Sequence, residues 1–197
     1  ESYKGVRDFY PEDQFIQRYM FEHMERVCEL YGYEEYNASV LEPAEMYRSK
    51  TSDEIVNEQT YTFTDRGGRE VTLRPEMTPT VARMVAARRR EMGFPLRLYC
   101  VPNFFRYERP QRGRLREFWQ LNVDLFGSNS PAADAEILAV AYGLMIAFGA
   151  RKSDFIIKVG SRQAISTIAQ DNNLNEEQTK QFFALLDRRA KMSEVDF

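Results

Sequence analysis

Residues 105–126, FRYERPQRGRLREFWQLNVDLF, decide how this chain is read. Two extended runs flank a turn that holds Pro110 and Gly113, and five arginines fall within residues 105–120. Side chains on a strand alternate between its faces. Trp119, Leu121, Val123 and Leu125 therefore share one face, which is core, while Phe118, Gln120, Asn122, Asp124 and Phe126 share the other. A Gln-Asn-Asp row is costly inside a core, and two phenylalanines are out of place in water. A ligand pocket resolves the conflict, with rings to stack on a flat group and an amide and carboxylate to orient a polar one. The competing reading is an exposed sheet face with incidental aromatics.

The preceding run repeats the logic. Arg106 and Glu108 share one face, and Phe105 and Tyr107 the other. Pairing through the 109–114 loop joins Arg106 and Glu108 to the face of Phe118 and Gln120. Upstream, TLRPEMT places Thr72, Arg74 and Glu76 at alternate positions, followed by Thr78. The chain contains no P-loop and no GxGxxG, so guanidinium groups rather than a glycine cradle would hold a nucleotide. The sum is a site for a triphosphate and an amine-bearing molecule, with the amine left unnamed.

Working outward, 197 residues with 43% hydrophobic and 29% charged content describe a soluble globular protein with one sizeable core. The longest uncharged apolar run, Ile137–Ala150, falls short of the ~20 residues that cross a bilayer, so it reads as a buried helix and no membrane partner is expected. No signal-peptide pattern opens the chain, and Glu1 is not an initiator, so a trimmed N-terminus is expected. Cys28 and Cys100 fit no CxxC spacing and His23 is the sole histidine, which gives no metal site and points to a reducing, cytoplasmic compartment. His23 reads as part of the apolar helical stripe Ile16, Met20, His23, Val27, Leu30. Between Arg83 and Arg116 ten arginines face two acids, a local balance of +8 in a chain of net charge −3. Arg88, Arg89 and Arg90 end a helix, where cations suit the dipole as well as they suit nucleic acid.

Pro11, Glu12 and Asp13 open a helix that Gly32 stops. A strand follows over 33–42, then a short helix over 44–49. Residues 60–74 read as a hairpin, 80–92 as a helix, 96–108 and 115–126 as long strands, 131–148 as a helix, 153–159 as a strand, and two helices finish the chain, the second near 176–189. Strands joined mostly by turns indicate an α+β fold with an antiparallel sheet flanked by helices. A core over 1–159 and a polar helical module beginning at 160 are expected.

These residues resemble the histidyl-tRNA synthetases, among the class II aminoacyl-tRNA synthetases. FRYERPQRGRLREFWQLNVDLFG resembles motif 2, LRPEMT the amino-acid-binding segment, GVRDFYPED the N-terminal signature, and YGYEEYNASVLE the dimer-forming strand of motif 1. FFALLDRRAK is loosely similar to the start of an insertion domain. The resemblance implies histidine–tRNA ligase activity: ATP with Mg²⁺ activates histidine to the adenylate, which is then transferred to tRNA(His). It implies that Arg106 grips the α-phosphate and the histidine carboxylate as the catalytic residue. It further implies Glu108 near adenine, Phe118 stacked on it and Arg114 on the distal phosphates, with Glu76, Thr78, Gln120 and Asp124 holding histidine. A homodimer through the motif 1 strand is also implied.

Three features depart from the family pattern. Ser39 stands where motif 1 usually carries proline, and Asp124 where many members carry the longer Glu. The chain also ends before a counterpart of motif 3, so an N-terminal part of the catalytic domain, weak or inactive alone, is expected. The main alternative is a non-catalytic histidine-sensing paralogue resembling the ATP phosphoribosyltransferase regulatory subunit, against which Arg109, Arg112, Arg114 and Arg116 argue. A plain RNA-binding module would leave the Gln120–Asp124 row without a role.

Overall fold

Pro11 opens helix α1 (Pro11–Leu30) in the computed structural model, which describes residues 2–48, 59–189 and 192. Glu12 and Asp13 sit in its first turn, at the positive end of the helix dipole. Gly32, at φ +76, takes the left-handed conformation that lets the chain reverse after Tyr31. Tyr33 is thereby carried into the core, its amide donating to Cys28 O at 3.1 Å, and strand β1 (Glu34–Glu35) begins.

The chain divides into two units, Glu1–Phe155 and Ile156–Phe197. In the first, β1 lies parallel to β5 (Leu96–Cys100), and β5 pairs antiparallel with β8 (Asn122–Phe126). A second sheet, wholly antiparallel, orders β2 (Leu41–Pro43), β4 (Glu70–Leu73) and β3 (Tyr61–Thr64). Helix α2 (Ala44–Arg48) follows β2 and helix α3 (Thr78–Arg88) follows β4. The hairpin β6 (Asn103–Phe105) and β7 (Glu117–Trp119) stands apart as a third sheet. The expected α+β architecture, with antiparallel sheets and flanking helices, is what the chain adopts.

The core bears out the alternation over 121–125 but not at Trp119, which meets Phe9 and lines a groove together with Phe118 and Gln120. Leu121, Val123 and Leu125 pack on Val27, Cys28, Tyr33, Tyr99 and Val140, supplied by α1, the turn before β1, β5 and helix α4 (Pro131–Ala147). Each fully buried side chain of this size contributes about 2 kcal/mol. Arg97 fixes α4 to β5 by gripping both oxygens of Glu136 at 2.7 and 2.8 Å, and Tyr33 donates to the same carboxylate at 2.9 Å. The Arg97 guanidinium holds Glu136 below the usual carboxylate range.

Several expectations are corrected. The strand expected over 33–42 splits into β1 and β2, which lie in different sheets. Asn37 Oδ1 accepts from Ala38 N at 2.8 Å and Ser39 Oγ from Leu41 N at 3.1 Å, bonds that compete with a ladder. Helix α3 begins two residues before Thr80, because Pro79 suits a first helical turn, and ends at Arg88. The strand expected over 153–159 does not form. Arg151 and Asp154 close a turn there, and Ile156 is 85% exposed with no neighbouring strand among the described residues. The apolar stripe of α1 is only partly core: Val27 is buried, whereas Ile16, Met20 and Leu30 are exposed.

The second unit holds α5 (Arg162–Asp171) and α6 (Glu176–Arg188). Ser161 caps α5, and Asn175 with Gln178 forms a capping box on α6.

Candidate active site

The β6–β7 hairpin sets the position of Arg106. Phe104 pairs with Phe118 and Phe105 with Glu117, and Arg106 N extends the ladder to Arg116 O at 2.9 Å. Arg106 thus shares the face of Phe104 and Phe118, with its guanidinium carbon 5.2 Å from the Phe118 ring centroid. Its Nε donates to Pro75 O at 3.0 Å. Its two terminal nitrogens make no hydrogen bond to a described residue. A guanidinium anchored through Nε leaves its two-pronged end for an anion.

Beyond Arg106, Glu108 meets Arg114 across the turn. Glu108 Oε2 lies 3.1 Å from Arg114 Nη1 in an ion pair that lacks hydrogen-bond geometry, so that oxygen is buried without a hydrogen bond. The Glu108 side chain is 14% exposed and the Arg114 side chain 61%. Gln111 and Arg114 exchange backbone hydrogen bonds at 3.0 and 2.9 Å around Gly113 at φ +77. Arg109 and Arg112 are exposed, with no partner among the described residues.

Arg116 has a different task, one that residue type and spacing did not reveal. It is buried, and its Nε donates to Glu108 O at 3.1 Å while Nη1 donates to Tyr3 Oη at 3.1 Å and Lys4 O at 3.4 Å. Its guanidinium lies 4.0 Å from the Tyr107 ring centroid. Arg116 N donates to Gly5 O at 2.7 Å, and a Cβ at Gly5 would stand 2.7 Å from Arg116 Cγ. Arg116 therefore latches the N-terminal segment onto the hairpin. The one signal for it was a glycine at position 5, read only as part of a motif.

Arg74 is also structural, correcting its placement among phosphate-binding arginines. It is buried, donating from Nε to Asn103 O at 2.9 Å, from Nη1 to Ala38 O at 2.8 Å and from Nη2 to Asn103 Oδ1 at 3.1 Å. Burial pushes its pKa down. This clamp orders residues 74–78, so that Pro75 O faces Arg106 and Met77 packs against Phe104, Cys100 and Phe118. Glu76 and Thr78 line a cavity of about 510 Å³ with Met46, Pro79 and Arg83. Phe118 and Gln120 line a different groove of about 770 Å³, to which Arg112 also contributes. The expected pocket residues thus open into two spaces that share no lining residue.

Gln120 is exposed, with its Nε2 donating to Asn122 Oδ1 at 2.8 Å. Asp124 is half-buried and accepts from the Tyr36 hydroxyl at 3.3 Å. Burial raises the Asp124 carboxyl above its ordinary value, and the Tyr36 bond opposes that rise. Burial likewise pushes the neighbouring Cys100 thiol up to about 11. Among the described residues no group of three or more His, Cys, Asp or Glu could hold a metal ion, and no helix is long and apolar enough to cross a membrane.

A family model described as histidyl-tRNA synthetase matches residues 5–195. The chain is 46% identical over 198 residues to the histidine–tRNA ligase of Leptospira biflexa serovar Patoc, covering 100% of this chain and 45% of that protein. It therefore spans about half the length of the curated relatives it matches. In fold it is similar to the histidyl-tRNA synthetase from Nostoc sp. PCC 7120, at a TM-score of 0.82 and 23% identity, over 100% of this chain and 45% of that one. A structure described as an ATP phosphoribosyltransferase regulatory subunit/histidyl-tRNA synthetase, from Bacillus halodurans, matches at a TM-score of 0.80 and 26% identity, over 94% of this chain and 47% of the other.

Proposed function

The chain belongs to the histidyl-tRNA synthetase family, and on that premise we propose that it supplies the ATP- and histidine-binding part of a histidine–tRNA ligase. The observation that carries the reading is Arg106: tied by Nε to Pro75 O, set over Phe118, with both terminal nitrogens unengaged by described residues.

The chemistry needs positioning and charge neutralisation rather than a side-chain nucleophile. A histidine carboxylate oxygen attacks the α-phosphorus of ATP, the bond to the β-phosphate oxygen breaks, and pyrophosphate leaves. Arg106 brings the two anions together and offsets the charge that builds between them. Phe118 stacks on adenine beside Glu108, and Arg114 leaves Glu108 to reach the distal phosphates. Mg²⁺ arrives with the phosphates as part of the substrate. Glu76, Thr78, Gln120 and Asp124 hold histidine, with the acids favouring its α-ammonium. The terminal ribose hydroxyl of tRNA(His) then attacks the acyl carbonyl and AMP leaves.

The protein acts in the cytoplasm, and a second copy docks through the motif 1 region. Tyr31 and Leu41, at the two ends of that segment, are exposed apolar side chains that support such a contact. Residues 160–197, beginning with α5 and α6, form the start of a helical insertion module.

Histidine-dependent pyrophosphate exchange by the polypeptide that carries this chain tests the proposal. Arg106→Ala is expected to abolish exchange, whereas Gln120→Ala chiefly raises the KM for histidine. Intact histidine binding with no exchange would move the assignment to a histidine sensor; the Bacillus halodurans neighbour's description names a regulatory subunit beside a histidyl-tRNA synthetase. Arg109 and Arg112, exposed at the turn and without a partner among the described residues, have no task in that reading.

A further inference from the structure

We infer that Tyr36 is a positioning residue of the amino-acid site: its hydroxyl holds one oxygen of Asp124 so that the other is presented to a donor group of bound histidine. This rests on the assignment of Asp124 to histidine binding proposed above.

Tyr36 has little freedom of its own. Its amide donates to Tyr99 O at 2.9 Å, continuing the pairing of β1 with β5, and its ring packs on the buried cluster of Met77, Cys100 and Phe104. The hydroxyl at the end of that fixed ring donates to Asp124 Oδ2 at 3.3 Å. Asp124 Oδ1 accepts no hydrogen bond from a described residue. No ion pair to Asp124 forms among the described residues either. A half-buried carboxylate with one oxygen tethered and no cation beside it is completed by a ligand that brings the cation or the N–H donor.

The surroundings agree. The titratable groups facing Asp124 are Tyr36, from the segment after β1, and Cys100, from β5; Arg74 acts on Tyr36 and Cys100 but not on Asp124. Burial disfavours the charged carboxylate, and the Tyr36 bond is what favours it. Aspartate is one methylene shorter than glutamate, so its reach depends more on where its carboxylate is held.

The test uses the whole polypeptide that carries this chain, with equilibrium histidine binding measured against pH and ATP binding measured in parallel. Tyr36→Phe keeps the packed ring and deletes only the hydroxyl. It is expected to weaken histidine binding about tenfold at neutral pH. The acid limb of the profile should move to higher pH, because losing a bond to the charged form raises the Asp124 carboxyl further. ATP affinity should hold within about twofold, and Tyr36→Phe should add little once Asp124→Asn is present, since both then act through one carboxylate. An unmoved acid limb with unchanged histidine affinity overturns the inference, as do equal losses for histidine and ATP or full additivity with Asp124→Asn. If the unaltered protein binds no histidine, the proposed function itself fails and the inference falls with it.

Discussion

Gly5→Ala is expected to release the latch between the N-terminal segment and the hairpin. Gly5 sits at φ +91, where a residue with a Cβ is strained by about 1 kcal/mol or more. The new Cβ would also stand 2.7 Å from Cγ and 2.8 Å from Cδ of Arg116. Arg116 cannot swing aside without loosening its bonds to Glu108 O, Tyr3 Oη and Lys4 O. Hydrogen bonds from a charged donor are worth about 1.5–3 kcal/mol each, so losing one and straining the rest brings the total to about 3 kcal/mol. Trp119 is the single tryptophan and meets Phe9 edge-on at 5.1 Å, so its fluorescence reports the N-terminal segment directly. Urea unfolding followed at that signal should show the loss. In an Arg116→Ala background the same change should cost only its backbone share, about 1 kcal/mol. If Gly5→Ala shifts stability by less than about 0.5 kcal/mol, the range of a neutral surface change, the latch is wrong.

Three further outcomes follow from the site. Asp124→Asn should raise the unfolding midpoint while impairing histidine binding. Burial lifts this carboxyl in the folded state, so the native protein loses stability as pH climbs from the unfolded value of about 4 to the raised folded value, and asparagine escapes that loss. Melting curves across that range that run parallel to the unaltered protein would sink the argument. Arg74→Lys keeps the charge but cannot span Asn103 and Ala38, which should cost about 3 kcal/mol in urea titrations and lower ATP affinity through the displaced Pro75–Arg106 contact. Leu41→Glu should leave the fold intact, since Leu41 is 43% exposed, and should shift sedimentation from dimer to monomer. A monomeric unaltered protein at about 50 µM would dismiss that interface, because obligate dimers bind far more tightly.

What the sequence makes legible here is set by periodicity. The core face of Leu121, Val123 and Leu125 is read correctly because burial on one side of a strand leaves a period of two. The arginines are another matter. Arg74, Arg106 and Arg116 all present a guanidinium, and residue type does not say whether its acceptor is a backbone carbonyl or a phosphate. Arg74 spends its nitrogens on Asn103 and Ala38, and Arg116 on Glu108, Tyr3 and Lys4, while only Arg106 keeps its terminal nitrogens clear of described residues. Apart from Glu108, which lies across the same turn as Arg116, those acceptors are distant in sequence, so no local pattern carries them. The split of the 33–42 strand escapes for the opposite reason: Asn37 and Ser39 make short-range bonds that overrule β propensity.

The pairing of Arg116 with Tyr3 joins positions 113 residues apart. During synthesis at about 5–20 residues per second, the N-terminal segment waits on the order of ten seconds for the arginine that will hold it. Throughout that interval Tyr3 and Phe9 lack their partners and are open to whatever binds nascent apolar chain. The latch therefore closes only after the second strand of its hairpin has emerged, and the turn at 109–114 is braced only once it has closed.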